Sequence, residues 1–178
     1  GKLELSVDTL AVDLLSLTAH KFHGPKGIGL LYIRQGTPVQ PILHGGHQEH
    51  GLWPGTENVA GAVGLTTALR LANEERGAET RRTARLRDKL EQGILESMPD
   101  VQINGHPSSR LPNILNVSFI GVDGGALLVW LDQEGIAVST ASACSAGAGG
   151  PSHVLMAMGL THEEALSSVR FSLGRENT

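Results

Sequence analysis

The sequence has few of the residues that mark secreted, membrane or nucleic-acid-binding proteins. Its 178 residues include one cysteine, Cys144, so neither an intrachain disulfide nor a cysteine zinc cluster can form. No apolar stretch approaches the ~20 residues that a membrane span needs. The formal net charge of -4 argues against nucleic acid as the main partner. We therefore expect a cytoplasmic protein of a reducing compartment that binds neither membranes nor nucleic acid.

Aromatic residues are also scarce, at 3%, whereas glycine is abundant, with 23 residues. This balance favours a loop-rich α/β enzyme over a β-sandwich, and the succession of patterns agrees with it. Apolar runs and alternation predict strands over residues 14–18, 28–34, 101–103, 114–119, 136–139 and 168–173. Helical patterns cover residues 59–72, 74–91 and 124–133, and two short helices follow Pro151 and Thr161.

The most specific stretch is residues 18–29, Thr-Ala-His-Lys-Phe-His-Gly-Pro-Lys-Gly-Ile-Gly. It lies between two predicted strands, which we expect to be buried and to pair as a hairpin-like unit. A lysine at the end of a buried strand, here Lys21, can lose its proton and act as a nucleophile. The glycines let the backbone pass close to another group. A nucleotide P-loop is a poor alternative, because the Gly-Lys-Ser/Thr ending is missing.

Residues 44–58 are too rich in glycine and proline for regular structure, and we expect an ordered loop. At its end, Thr56 or Asn58 caps the next helix, where a hydroxyl and free N–H groups suit an anion. His44, His47 and His50 suggest a metal site. However, the glycines between them and the lack of further ligands argue against one, and we predict no metal.

Two further residues stand out near the carboxyl end. Cys144 is flanked by small residues over 139–147, which predicts an accessible thiol in a loop, although a lone cysteine is more often a small buried residue. Arg170 alternates with apolar neighbours, so it faces away from the core, where a guanidinium can bind a carboxylate with two hydrogen bonds. A structural ion pair is the alternative for this arginine.

Together these segments resemble the cysteine desulfurases, pyridoxal-phosphate (PLP) enzymes that supply sulfur for iron–sulfur clusters. Ser/Thr-x-His-Lys with Gly-Pro-Lys-Gly-x-Gly resembles the family's cofactor-lysine segment, and three other segments follow in the family's order. The resemblance covers nearly the whole chain. It implies an α/β fold of the aspartate-aminotransferase type (fold type I). Residues 1–72 would belong to the large PLP-binding domain and residues 73–178 to the small C-terminal domain.

The resemblance also implies roles for individual residues. Lys21 would form the Schiff base with PLP, and Thr18 and His20 would bind the cofactor phosphate. Thr56 would reach the phosphate bound in the partner subunit of a homodimer. Arg170 would hold the α-carboxylate of the substrate, L-cysteine.

In the family, the thiol that corresponds to Cys144 takes the substrate's sulfur as a persulfide and leaves L-alanine. The persulfide then passes to an iron–sulfur scaffold or a sulfur-carrier protein. The same fold also serves selenocysteine and cystine lyases, and a non-catalytic binding module is a further alternative.

The sequence departs from the family in several places. Trp53 stands where an arginine usually precedes the Gly-Thr pair, and His47 replaces the third glycine of Gly-Gly-Gly. The ring-stacking histidine and the residues that contact the pyridine ring come before this segment in the family. We therefore expect this chain to be the second half of such an enzyme, with little or no activity by itself.

Overall fold

The computed structural model describes residues 1–140 and 150–178. These residues form two compact units, Gly1–Gly77 and Ala78–Thr178. Both units combine helix and strand, which agrees with the predicted α/β class. Helix α1, Val59–Ser97, contributes residues to both units. The division into domains at residues 72 and 73 concerns the large and small domains of the family and stays a prediction.

The first unit contains an antiparallel strand pair, β1 (Leu14–Thr18) and β2 (Gly29–Ile33). Thr18 lies opposite Gly29 at the turn end of this pair, as the hairpin-like prediction requires. The expectation that both strands are buried is wrong for this chain, because Leu14 is 47% exposed and Leu31 is 53% exposed. Within the described residues the two strands have no third strand beside them, so much of their apolar surface stays uncovered.

The amino end of helix α1 provides half of the side chains in the small core of this unit. Asn58 begins the helix, because its Oδ1 accepts a hydrogen bond from the Gly61 N–H at 2.9 Å. Of the two predicted capping residues, Asn58 therefore makes the contact. Buried and partly buried side chains then pack between the helix and the segment after β1: Ala19, Phe22, Ile28, Leu65, Ala68 and Ala72.

The second unit is built on a three-stranded antiparallel sheet with the strand order β3-β4-β5. The strands are β3 (Val101–Asn104), β4 (Ile114–Phe119) and β5 (Ser168–Ser172). The helices are α2 (Gly124–Gln133), α3 (His153–Ala157) and α4 (His162–Leu166). None of the helices in the described ranges has the length and apolar character needed to cross a bilayer.

The predicted strand over residues 136–139 is wrong. Only Ser139 pairs with the sheet, through an isolated bridge to Arg170. The Ser139 N–H donates to the Arg170 carbonyl oxygen at 3.1 Å, and the Arg170 N–H donates to that of Ser139 at 2.6 Å. Gly135, with φ of 76°, turns the chain after α2, and the residues from Ile136 to Val138 make no ladder of their own.

The core of the second unit follows the alternation of β4. Leu115 and Val117 are at most 1% exposed and pack with Val169 of β5. Leu90 and Ile94 of α1 pack against the same cluster. The other face of the sheet therefore carries the polar side chains of β4 and β5.

Candidate active site

A 3₁₀ turn, Ala19–Phe22, follows β1 and carries the predicted cofactor lysine. Three residues per turn place Ala19 and Phe22 on one side, and both are buried, at 0% and 6% exposure. His20 and Lys21 consequently lie on the exposed side of the turn. We expected a buried lysine, but Lys21 is exposed in this chain because Ala19 and Phe22 occupy the inward positions of the turn.

A side-chain hydrogen bond joins two of the predicted phosphate-binding residues. Thr18 Oγ1 lies 3.0 Å from His20 Nδ1. The backbone after the turn is closed by a hydrogen bond from the Gly24 N–H to the Ala19 carbonyl oxygen at 2.9 Å, with His23 in the left-handed region at φ of 66°. The structure thus brings Thr18, His20 and Lys21 into one short segment at the end of β1.

This segment lies close to helix α1 because a glycine on each side of the contact has no Cβ. A Cβ on Gly24 would lie 2.8 Å from Ala19 Cβ and 3.1 Å from Ala68 Cβ. A Cβ on Gly64 of the helix would lie 2.5 Å from Pro25 Cγ. The sequence predicted that the motif glycines allow a close approach, and Gly24 does so. Gly64 was missed, although a lone glycine in a helical pattern is itself a sign of close packing.

Thr56 is exposed in the loop that precedes helix α1. The preceding Gly55, with φ of 115°, donates its N–H to Gln48 Oε1 at 3.2 Å. Beyond Thr56, Val59 and Val63 of the helix are 68% and 62% exposed. Thr56 is therefore followed in the chain by exposed apolar side chains at the start of α1.

The histidines of this loop, His44, His47 and His50, lie within the described residues. Across the described ranges, no three histidine, cysteine, aspartate or glutamate side chains are grouped so that they could hold a metal ion.

Arg170 lies at the centre of β5, directly opposite Asn116 of β4. Its apolar neighbour Val169 is fully buried and Phe171 packs against the core, so the predicted facing of Arg170 is confirmed. Arg170 Nε is buried and has no hydrogen-bond partner among the described residues. No carboxylate within residues 1–140 and 150–178 forms an ion pair with Arg170, so the structural ion pair that we considered as an alternative is not observed there.

Cys144 lies outside the described residues, so its predicted accessibility and role stay predictions. Among the described residues, the lysine turn belongs to the first unit and Arg170 to the second.

The model of the aminotransferase class-V family matches residues 1–178. This chain belongs to that family. It is 48% identical over 180 aligned residues to the cysteine desulfurase IscS of Clostridium botulinum, and the match covers all of this chain and 45% of that protein. The chain thus spans about half the length of the curated relatives it matches.

Solved structures in the class-V aminotransferase family show the same fold. A NifS-like protein superposes with a TM-score of 0.86 at 40% identity, covering 99% of this chain and 45% of that one. SspA in complex with cysteine superposes with a TM-score of 0.72 at 33% identity, covering 97% of this chain and 47% of that one. These matches confirm the predicted fold class.

Class-V aminotransferases are PLP enzymes, and the groups in this chain fit that cofactor. PLP presents an aldehyde, which an amine can condense with, and a phosphate, which hydroxyl and imidazole groups can bind. Lys21 supplies an exposed amine, and Thr18 and His20 supply the hydroxyl and the imidazole. The donor set of the lysine turn therefore matches both ends of the cofactor.

Proposed function

We propose that this protein is a PLP-dependent cysteine desulfurase, which takes the sulfur of L-cysteine as a persulfide and releases L-alanine. One observation carries the proposal. The Thr18–His20 hydrogen bond and the exposed Lys21 share one turn, which the buried Ala19 and Phe22 fix in place. The relatives named cysteine desulfurase, at 48–49% identity, support the choice of reaction within the family.

PLP supplies an aldehyde for the amine and an aromatic ring that withdraws electrons from the substrate. Thr18 and His20 hold the phosphate. Their mutual hydrogen bond at 3.0 Å involves His20 Nδ1, so the other ring nitrogen, Nε2, is the one we assign to the phosphate. Lys21 Nζ would hold the cofactor through its aldehyde and, once free, would carry a proton to or from the substrate.

Arg170 binds the α-carboxylate of L-cysteine. Its position supports this role, because Nε is buried without a partner among the described residues. A carboxylate would satisfy that nitrogen together with a second guanidinium N–H, in the two-point geometry that arginine provides.

Cys144 is the sulfur acceptor in this proposal. Its thiolate attacks the substrate sulfur, so a new S–S bond forms as the Cβ–S bond of the substrate breaks. The electron pair of the broken bond goes to carbon, which takes a proton and becomes the methyl group of alanine. One L-cysteine and one thiol thus give one alanine and one persulfide, and no external oxidant is needed.

The proposal extends to assembly and place in the cell. We infer a cytoplasmic homodimer in which Thr56 reaches the phosphate bound by the partner subunit, and a scaffold or sulfur-carrier protein that takes the persulfide sulfur. The exposed Val59 and Val63, which follow Thr56 in the chain, support an interface at the start of α1, since burying them would remove apolar surface from water. Residues 1–72 would belong to the C-terminal part of the large domain, and residues 73–178 would form most of the small one.

The test is mass spectrometry of the protein expressed from its complete gene, after incubation with L-cysteine. We expect one sulfur atom added at Cys144 and alanine in solution. Borohydride should trap PLP on Lys21, and Lys21→Ala should lose the trapped adduct. Lys26→Ala is the matched control, because Lys26 is an exposed lysine of the same motif and should keep the adduct.

Cys144→Ala separates the proposal from a lyase of the same family. A desulfurase variant without the thiol forms no persulfide and releases little alanine from cysteine, whereas a selenocysteine or cystine lyase keeps its own activity. Unmodified Cys144 in a protein that holds PLP and has been given cysteine would refute the desulfurase assignment.

A further inference from the structure

The polar face of the second unit's sheet carries a chain of side-chain hydrogen bonds. Ser118 Oγ donates to the Glu164 carbonyl oxygen at 2.7 Å. Asn104 Nδ2 donates to Ser118 Oγ at 2.8 Å and to Asn116 Oδ1 at 2.7 Å. Ser118 is fully buried and Asn104 is 8% exposed, so water does not compete for these bonds.

The direction of every bond in this chain follows from its buried end. A carbonyl oxygen only accepts, so the single hydroxyl hydrogen of Ser118 is used on Glu164. Ser118 must then accept from Asn104, which means that the Asn104 atom facing it is the NH₂ group. The same NH₂ group contacts Asn116, so the atom that Asn116 turns toward Asn104 is its oxygen. The NH₂ group of Asn116 is therefore at the other end of its amide.

The strand register determines which residue lies on the side of Asn116 that is away from Asn104. Asn116 sits between Asn104 of β3 and Arg170 of β5, and it is directly opposite each of them. Directly opposite residues of an antiparallel pair share a face, with Cβ atoms roughly 4.5–5.5 Å apart. With its oxygen held by Asn104, Asn116 presents two N–H donors on the face that carries the Arg170 guanidinium. Both of these groups can only donate in this arrangement.

We propose that Asn116 is a second binding residue for the substrate carboxylate, acting beside Arg170, and that Asn104 and Ser118 are its positioning residues. The unpartnered, buried Nε of Arg170 and the oriented NH₂ of Asn116 together form a set of donors that suits one anion. The inference rests on the proposed function, since the carboxylate it assigns to the site is that of L-cysteine or of the product L-alanine.

The experiment compares ligands with and without the carboxylate on the PLP-loaded protein expressed from its complete gene. L-alanine binding is measured by titration calorimetry, and cysteamine, which is cysteine without its carboxylate, by the absorbance change of bound PLP. Asn116→Ala should weaken L-alanine binding about 10-fold to 100-fold, the effect of losing a hydrogen bond to a charged group. Cysteamine binding should stay unchanged. In turnover, KM for L-cysteine should rise more than kcat falls.

Asn116→Asp is the second variant, because it keeps the shape and the oxygen that accepts from Asn104 while it removes the donor. It should weaken L-alanine binding at least as much as Asn116→Ala does. Asn113→Ala is the matched control. Asn113 is also a buried asparagine, 7% exposed, but it donates to the Leu173 carbonyl oxygen instead, so its loss should leave the ratio of the two affinities unchanged.

If Asn116→Ala weakens the binding of L-alanine and cysteamine equally, or does not weaken L-alanine binding, the proposed role of Asn116 is wrong. If the wild-type protein still forms alanine from cysteine, the proposed function survives that result. Conversely, selective loss of L-alanine binding in a protein that cannot take sulfur from cysteine would uphold the carboxylate site and refute the desulfurase function. A wild-type protein that binds neither L-cysteine nor L-alanine refutes both.

Discussion

Replacing Gly24 with alanine would place a methyl group in the contact between the lysine turn and helix α1. The new Cβ would lie 2.8 Å from Ala19 Cβ, 3.0 Å from the Ala19 carbonyl oxygen and 3.1 Å from Ala68 Cβ. Carbon atoms pack best at roughly 3.5–4.0 Å, so all three neighbours would have to move. Two of these atoms are Cβ atoms and the third is backbone, so no flexible side-chain end can give way.

The magnitude follows from two opposing effects. Forcing an extra carbon into a packed site costs about 1–3 kcal/mol. Replacing glycine by alanine also restricts the unfolded chain, which returns about 0.4–1 kcal/mol where the backbone conformation suits alanine. Because the overpacking outweighs this gain, Gly24→Ala should lower the free energy of unfolding by about 1–2 kcal/mol.

Urea unfolding of the protein expressed from its complete gene provides the measurement. Gly93→Ala is the matched control, since a Cβ at this site in α1 meets no atom within 4 Å. It should raise stability by about 0.5–1 kcal/mol, the helix preference of alanine over glycine. Ala19→Gly should rescue part of the loss in Gly24→Ala, because it removes the nearest contact. A Gly24→Ala protein as stable as Gly93→Ala would refute the packing argument.

Three further predictions concern the core, a helix cap and the lysine turn. Leu115→Ala should cost about 2–5 kcal/mol in chemical denaturation, because this leucine is 1% exposed at the centre of the second unit's core. The N–H and hydroxyl of Thr161 hold the pKa of Glu164 below its ordinary 4.5 in the folded protein. The stabilisation from Glu164 is then fully present above that pH and is lost as the pH falls through the lower folded value, so wild type and Glu164→Gln should converge in acid denaturation. Thr18→Val should weaken PLP retention on dialysis while Thr18→Ser keeps it, because only serine preserves the hydroxyl that contacts His20.

Local patterns in the sequence were sufficient for several elements. The strand Leu14–Thr18 and the strand Ile114–Phe119 match their predicted bounds, because each carries its own apolar pattern between clear breaks. The capping box of Thr161 and Glu164 is also present, with both reciprocal bonds formed. A cap depends on residues three positions apart, so the sequence alone contains all of its partners.

Other features depend on distant partners and could not be predicted in this way. Residues 136–139 are apolar enough for a strand, but a ladder also needs a partner in register, and only Ser139 finds one. The exposure of Lys21 follows from which turn residues reach the core. For the site, alternation along the strand was enough to predict the facing of Arg170, whereas the oriented Asn116 beside it emerged only from the register of three strands.

The hydrogen-bond chain on the polar face of the sheet starts at a main-chain atom, the Glu164 carbonyl oxygen. Every amino acid has this main-chain oxygen, so the assignment of donors and acceptors from Ser118 to Asn116 does not depend on the side chain of residue 164. Saturation mutagenesis at 164 should accordingly disturb the helix cap yet spare amino-acid binding, while the same scan at 118 should impair it. The side chain of residue 164 can thus change during evolution while the donors and acceptors of the hydrogen-bond chain stay the same.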